Sequence, residues 1–455
     1  MRYDPPIREV VESRALLADP RFGSLWLSQG LAQTAQNAIL FSLLIVVLEI
    51  TGSSIHTSIL VLTFILPSIP VGMVVGVMLD RLPKAPVLVT SNLLRAGACV
   101  LLYFSHSNEW VIYGISAGFA TSGLFFNPAV VALIPSLVPR DRLVNANSLY
   151  NFTLTSSQLV GMVFVAPTIL KAAGAGAMFL TAAAVFVAAA ALALRLSGVK
   201  EEHQPKLPQG ALFGRIPDEF RESWRTLISD RASLLAISQL TMSSTLVLLF
   251  AILIPRYMKD TIDISPDNAA FVFAPTGIGA LVGLRFLPWF ARKGKNRVVV
   301  IGLVGIAVCL VLLALVEPLA EVTKMTPGPL NPTRFLRISL LQALTMSIAG
   351  PMGFFYALLN APAQTVLHER APAEMRGRIF ATQVVSANFI SLLPLLLIGA
   401  VTDWTSITVV LLLIAAGVSA MAVVSELEGR RQATAAVAEP PSEVPTPPPE
   451  VPTFG

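Results

Sequence analysis

A chain of 455 residues that is 54% hydrophobic and 13% charged, with a mean hydropathy of +0.71, has too little polar side chain to cover a soluble globule of its size. That excludes a water-soluble domain and predicts an all-α polytopic membrane protein. The formal net charge of +5 does not mark a nucleic-acid binder, because the basic residues are scattered over many short loops and not gathered on one face.

Residues 1–21 carry charges of both signs and precede an apolar run too long for a signal-peptide core, so the first span is expected to stay uncleaved behind a cytoplasmic N-terminus. A hydrocarbon core about 30 Å thick takes roughly 20 apolar residues per helix. Twelve such runs recur, near 22–50, 55–79, 86–104, 110–137, 143–170, 174–194, 232–253, 269–290, 298–315, 335–360, 379–401 and 407–424. The apolar pattern stops over 197–231, which predicts a cytoplasmic linker between two six-helix bundles, 22–196 and 232–424. Within the linker, Phe220, Trp224, Leu227 and Ile228 share one helical face opposite mixed charge, the pattern of a helix lying along a membrane surface. From 425 to 455 the chain turns Pro- and Glu-rich and is expected to form a disordered tail. Of the 32 Lys and Arg, 24 fall on the side of the N-terminus and six on the other, which puts both termini in the cytoplasm.

The two halves echo each other. Asn127-Pro128-Ala129 leads through a charged loop into the fifth span, and Ala361-Pro362-Ala363 leads through another into the eleventh. Gly72 and Gly76 close the second span as Gly279 and Gly283 sit toward the end of the eighth. A duplicated six-helix unit explains both.

A charged hairpin joins the second and third spans: Gly76, then Asp80-Arg81 four and five residues on, then Lys84. With Phe125-Phe126-Asn127-Pro128-Ala129 and Pro372-Ala373-Glu374-Met375-Arg376-Gly377-Arg378, it resembles the loop signatures of the major facilitator superfamily, in its bacterial macrolide and enterobactin exporter branch. The resemblance implies the major facilitator fold, twelve transmembrane helices in two six-helix pseudo-repeats that rock about a central cavity. It also implies efflux of a small drug-like or siderophore-like compound through the plasma membrane.

Asp80 stands at a helix C-terminus, where exposed carbonyls disfavour a negative charge without a cation nearby. If the halves close as the resemblance implies, Arg376 and Arg378 at the start of the eleventh span supply it, and Gly76, Asp80, Arg81, Lys84, Arg376 and Arg378 form a cytoplasmic latch. The plainer alternative is that Asp80 and Arg81 anchor a loop at the headgroups.

Amides and hydroxyls inside spans should face protein or water, since lipid leaves their hydrogen bonds unmet. Gln33, Gln36 and Asn37 in the first span, Asn127 in the fourth, Gln239 and Ser243 in the seventh, and Tyr356 and Asn360 in the tenth are the candidate cavity residues. Gln158, Gln383 and Asn388 are comparable. Helix-to-helix hydrogen bonding is the competing reading for each. Arg95 lies near the middle of the third span and either pairs with a loop carboxylate or meets an anionic group. Arg285 is near enough to a span end to snorkel.

No Asp or Glu lies at mid-depth of any span, which weighs against proton antiport. Glu49 is the remaining candidate for coupling to a proton, against a plain outer-surface charge. Cys99 and Cys309 sit in apolar runs and His56, His106, His203 and His368 are isolated, so no disulfide, metal site or other cofactor is expected. Gly114-Ile115-Ser116-Ala117-Gly118 spells a nucleophile elbow without its strand-turn-helix setting, and no phosphate-binding loop is present, so the chain is expected to be neither an enzyme nor an ATP-driven pump. The expected partners are a small-molecule substrate, the lipid bilayer and a coupling ion, with the protein a monomer. A nutrient importer of the same fold and a transporter-shaped sensor or interaction protein are the alternatives.

Overall fold

The structure, a computed structural model, describes residues 16–79, 82–105, 107–139, 142–199, 221, 224–225, 228–265, 268–291, 294–324, 339–370 and 376–438. Among them, ten helical stretches of at least 18 residues are apolar enough to cross a membrane. One of these, Asn145–Leu194, holds two crossings on either side of Gly174, and a further crossing contributes the shorter apolar stretch Phe271–Leu287, so the described chain makes the twelve spans expected.

The first span is one helix, Pro20–Thr51, started by the Asp19 carboxylate, which accepts the backbone N–H of Arg21 at 2.8 Å and of Phe22 at 2.9 Å. The second is two pieces, Ser54–Ile65 and Ser68–Leu79. Pro67 parts them, since it has no N–H to donate and its ring crowds the preceding turn. Lys84–Ser105 and Glu109–Leu137 are the third and fourth. The fifth begins as Leu143–Leu159 and passes through a π-helical turn, Val160–Val165, into Ala166–Leu194. Gly174, at φ 78° and ψ 178°, breaks that last stretch into the end of the fifth span and the sixth. A side chain at that φ would be strained.

The second half repeats the plan with Arg231–Asp260, Ala269–Ala291 and Lys295–Ala314, then a short helix Val316–Lys324. Leu340–Arg370, Arg376–Trp404 and Ile407–Ala438 are the tenth, eleventh and twelfth spans.

Packing carries the same repeat. The third span lies on the sixth as the ninth lies on the twelfth, and the second on the fourth as the eighth on the tenth. Between halves, the second meets the eleventh and the fifth meets the eighth, which are equivalent pairs, while the first meets the seventh near the axis. The small-residue spacing in the eighth span serves this packing: a Cβ on Gly279 would strike the Gly350 carbonyl of the tenth.

Several expected boundaries move. The tenth span runs ten residues past 360, through Pro362, and the Ala361-Pro362-Ala363 loop is helical. One missing donor does not end a helix whose neighbours cover the freed carbonyl. Of the in-span prolines, Pro67 interrupts its span, whereas Pro128, Pro351, Pro362 and Pro394 sit inside continuous helices. Residues 425–438, expected in the tail, continue the twelfth helix, with Glu426–Arg430 and Glu428–Arg431 pairs at 2.7 and 2.8 Å along its side. In the linker, Trp224 is helical and packs against the apolar core and Ile228 is exposed, while Phe220 and Leu227 lie outside the described residues.

Candidate functional site

Polar side chains gather at mid-depth in the first half. Arg95, halfway along the third span, is fully buried. Its Nε donates to the Ser91 carbonyl at 3.3 Å, one terminal nitrogen donates to Gln36 Oε1 at 3.0 Å and the other to Asn92 Oδ1 at 2.8 Å. The faces of the guanidinium are covered by the rings of Phe126 and Phe186, 4.5 and 4.9 Å away, an arrangement that substitutes ring quadrupoles for water. Among the described residues no carboxylate pairs with it, and the loop carboxylates Asp80 and Asp141 lie outside them. The first, third, fourth and sixth spans are joined through this one side chain.

Beside it, Gln33 Nε2 donates to Asn127 Oδ1, and Asn37 Nδ2 donates to the Gln33 carbonyl at 2.8 Å. Gln33 is buried, whereas Gln36, Asn37 and Asn127 are partly exposed. The first and fourth spans thus present amides to one another, as their residue types require.

In the second half, Ser243 Oγ donates to Asn360 Oδ1 at 3.3 Å, and Tyr356 lies one helical turn before Asn360 in the tenth span. These three candidates come together between the seventh and tenth spans. Gln239 does not join them. Its Nε2 donates to Asn296 Oδ1 at 3.3 Å and Ser425 Oγ at 3.1 Å, and Asn296 closes the triangle on the Ser425 carbonyl at 2.8 Å. It ties the seventh, ninth and twelfth spans, four residues and roughly one helical turn away from Ser243. Of the comparable amides, Asn388 donates to Ser68 at 2.9 Å across the two halves, Gln383 is buried and Gln158 is exposed.

The end of the bundle where the first span terminates, the far end, holds a clasp between halves. Asp403, in the last turn of the eleventh span, accepts from Ser53 Oγ at 2.5 Å and from the backbone N–H of Ser54 and Ile55 at 2.9 and 3.1 Å. Ser53 is the N-cap of the second span and makes no side-chain cap of its own. The carboxylate of the opposite half supplies it. Arg256 of the seventh span completes the group, donating to Asp403, to Ser54 Oγ at 3.1 Å and to Asp260 at 2.8 Å. Nearby, Lys171 donates to Asn268 at 3.2 Å, again from one half to the other. Asp403, Arg256 and Ser53 are not singled out in the sequence analysis above. The signal was present, since a carboxylate at a helix C-terminus demands a cation or a donor.

Glu49 is exposed at the same end, on a depression of about 300 Å³ that also holds Lys259 and Asp263. Arg285 is exposed in the eighth span. Gly76 falls in the last turns of Ser68–Leu79 and Lys84 opens the third span, while Asp80 and Arg81 between them lie outside the described residues. Arg376 and Arg378 occupy the first turn of the eleventh span, with side chains that are not among those described.

The family profile described as the Major Facilitator Superfamily matches residues 25–381. A protein of Mycolicibacterium fortuitum named multidrug efflux pump Tap is 24% identical over 368 residues, 78% of this chain and 83% of that one. A Bacillus subtilis protein named as the uncharacterized MFS-type transporter YjbB is 23% identical over 379 residues, 79% of this chain and 83% of that one. Among solved structures, the nucleoside transporter NupG superposes with a TM-score of 0.66 at 13% identity, covering 90% of this chain and 98% of its own. A POT family transporter in complex with a thioalcohol conjugated peptide gives 0.70 at 10% identity, over 90% and 96%.

Proposed function

The chain belongs to the major facilitator superfamily, and on that footing we propose that it expels small amphipathic compounds across the plasma membrane by alternating access. The observation that carries this reading is the Asp403 clasp, which joins the two halves at one end of the bundle through a helix N-terminus, an arginine and two hydroxyls. A bond set of that kind, made at one end while a path opens at the other, is what alternation between two states requires.

With both termini in the cytoplasm, as the distribution of Lys and Arg favours, the far end is the outer one and the structure is an outward-closed state. The Asp80 hairpin with Arg376 and Arg378 is then the inner counterpart, fastened when the outer clasp opens. Gln33, Gln36, Asn37 and Asn127 from one side, and Ser243, Tyr356 and Asn360 from the other, are the polar walls of the substrate path. The relative named as a multidrug efflux pump supports export over import. Transport of this type uses no covalent chemistry, and its driving ion would be a proton or another cation.

Inverted membrane vesicles test the direction. Energised accumulation of the lipophilic dye phenylnaphthylamine inside them is the expected result. Accumulation only in right-side-out vesicles would make the protein an importer, and none in either orientation would favour a sensor or interaction role.

A further inference from the structure

Arg95 is a fixed charge in the membrane interior, and among the described residues nothing of opposite sign answers it. Arg95 is completely buried, and its polar partners are the neutral groups Ser91, Gln36 and Asn92. The carboxylates of the described spans lie in terminal turns, as Glu49, Glu109, Asp260, Glu369 and Asp403 do, or past the apolar part of the twelfth helix, as Glu426 and Glu428 do. An uncompensated guanidinium in a low-dielectric interior attracts any acceptor-rich or negative group that can approach it and repels a cation.

The cluster is also short of acceptors. Arg95 brings five N–H donors, of which three find an acceptor. The Asn92 amide nitrogen is buried with no hydrogen-bond partner. Gln36 fixes where this surplus points. Because a guanidinium only donates, the Gln36 oxygen must face Arg95, and its NH₂ group is left directed elsewhere. Gln36 is partly exposed, and the charge behind it polarises this NH₂ as a donor.

We infer that the protein prefers neutral acceptor-rich or acidic compounds to organic cations, with the Gln36 amide as the contact and Arg95 as the charge behind it. The inference rests on the transporter reading for its setting, but it predicts binding whether or not transport follows.

Two dyes with one aromatic skeleton provide the measurement. Anilinonaphthalene sulfonate carries a negative charge, phenylnaphthylamine carries none, and ethidium serves as the cation. Titrated against purified protein in nanodiscs, the sulfonate is expected to bind at least as tightly as the neutral dye, and ethidium at least tenfold more weakly than either. Arg95→Gln is expected to lower the sulfonate-to-neutral affinity ratio about tenfold, and Arg95→Lys to keep most of it. Gln36→Glu, isosteric and able to pair with Arg95, is expected to lower the ratio without loss of fold, so the test does not depend on Arg95→Gln being stable. Ethidium binding as tight as the sulfonate, no binding of any dye, or a Gln36→Glu ratio equal to wild type would overturn the inference. A purely structural Arg95 would change both affinities together and leave the ratio alone. Binding in the expected order with no flux in inverted vesicles would leave the charge preference standing and remove the transporter reading. Fast flux of ethidium would do the reverse.

Discussion

Asp403, from one half of the protein, occupies the capping position that Ser53, in the other half, leaves vacant at the start of the second span. A helix cap is ordinarily local in sequence. Here 350 residues separate the hydroxyl from the carboxylate it meets, so the stability of one helix end is tied to the relative position of two bundles.

Asp403→Asn is expected to loosen that tie. It removes the charge that Arg256 faces and weakens the acceptor for two backbone N–H groups, each about one fifth exposed side chain of the pair being shielded enough for the loss to register. A shift of roughly 1–3 kcal/mol toward a state open at the far end is expected. Spin labels at Trp110 and Val322, both exposed at the far end, should show a longer distance population in the variant; an unchanged distribution would refute the gating role.

Gly399 sits where the eleventh span crosses the second. A Cβ there would strike Ser58 Oγ and lie 2.9 Å from the Ser54 carbonyl. Gly399→Val is therefore expected to hold the far end apart through overpacking, at a cost of about 1–3 kcal/mol to the closed state. The same labels should report opening, and thermal melting of the second half alone should change little.

Gln239 is a structural residue by its bonds. Gln239→Leu leaves Asn296 and Ser425 short of partners inside the seventh, ninth and twelfth spans, which costs about 1–3 kcal/mol of stability. Lower thermal stability with unchanged dye affinity is the expected outcome. Asn127→Ala, by contrast, should alter dye affinity more than stability.

Asp230 caps the seventh span from outside it. Burial pushes its carboxyl upward, but hydrogen bonds from the Ser233 hydroxyl and from the Ser233 and Ala232 amides, with Arg370 nearby, hold it below the usual carboxylate range. A depressed folded-state pKa adds stability that is fully present above the unfolded value of about 3.9 and is lost as pH falls through the folded one. Relative to the intrinsic rate at each pH, amide exchange at Ser233 should accelerate below about pH 4 in wild type. In Asp230→Asn, which keeps a capping oxygen that does not titrate in this range, that acceleration should disappear.

Much of this was legible in the chain itself. Apolar runs of membrane length set the twelve spans, and Gly174 was the expected boundary of the sixth because its residue type and its place at a break agree. Polar side chains inside apolar helices had to find partners, and Gln33 with Asn127 and Ser243 with Asn360 do so by helix-to-helix hydrogen bonds, the competing reading for each. Gln239 was misplaced because helical periodicity tells which residues share a face, not which neighbour that face meets. Arg95 was recognised as anomalous, but its neutral cage depends on side chains from four spans and on two ring faces, which no local pattern encodes. The Asp403 clasp was missed although the dipole argument applied to Asp80 holds for it equally.

The break at Pro67 has a mechanical meaning. It divides one crossing into two rods of 12 residues, each about 18 Å long, neither able to traverse a core of about 30 Å alone. The rod Ser54–Ile65 is bolted to the opposite half through Asp403, and the rod Ser68–Leu79 runs to the charged hairpin. At the joint one rung of the regular ladder is replaced by an Ile69 N–H bond to the Leu66 carbonyl at 3.2 Å, between the regular rungs from Leu66 to Leu62 at 2.8 Å and from Val71 to Pro67 at 3.1 Å. The second span is thus a jointed lever, and movement at one fastening need not be transmitted rigidly to the other.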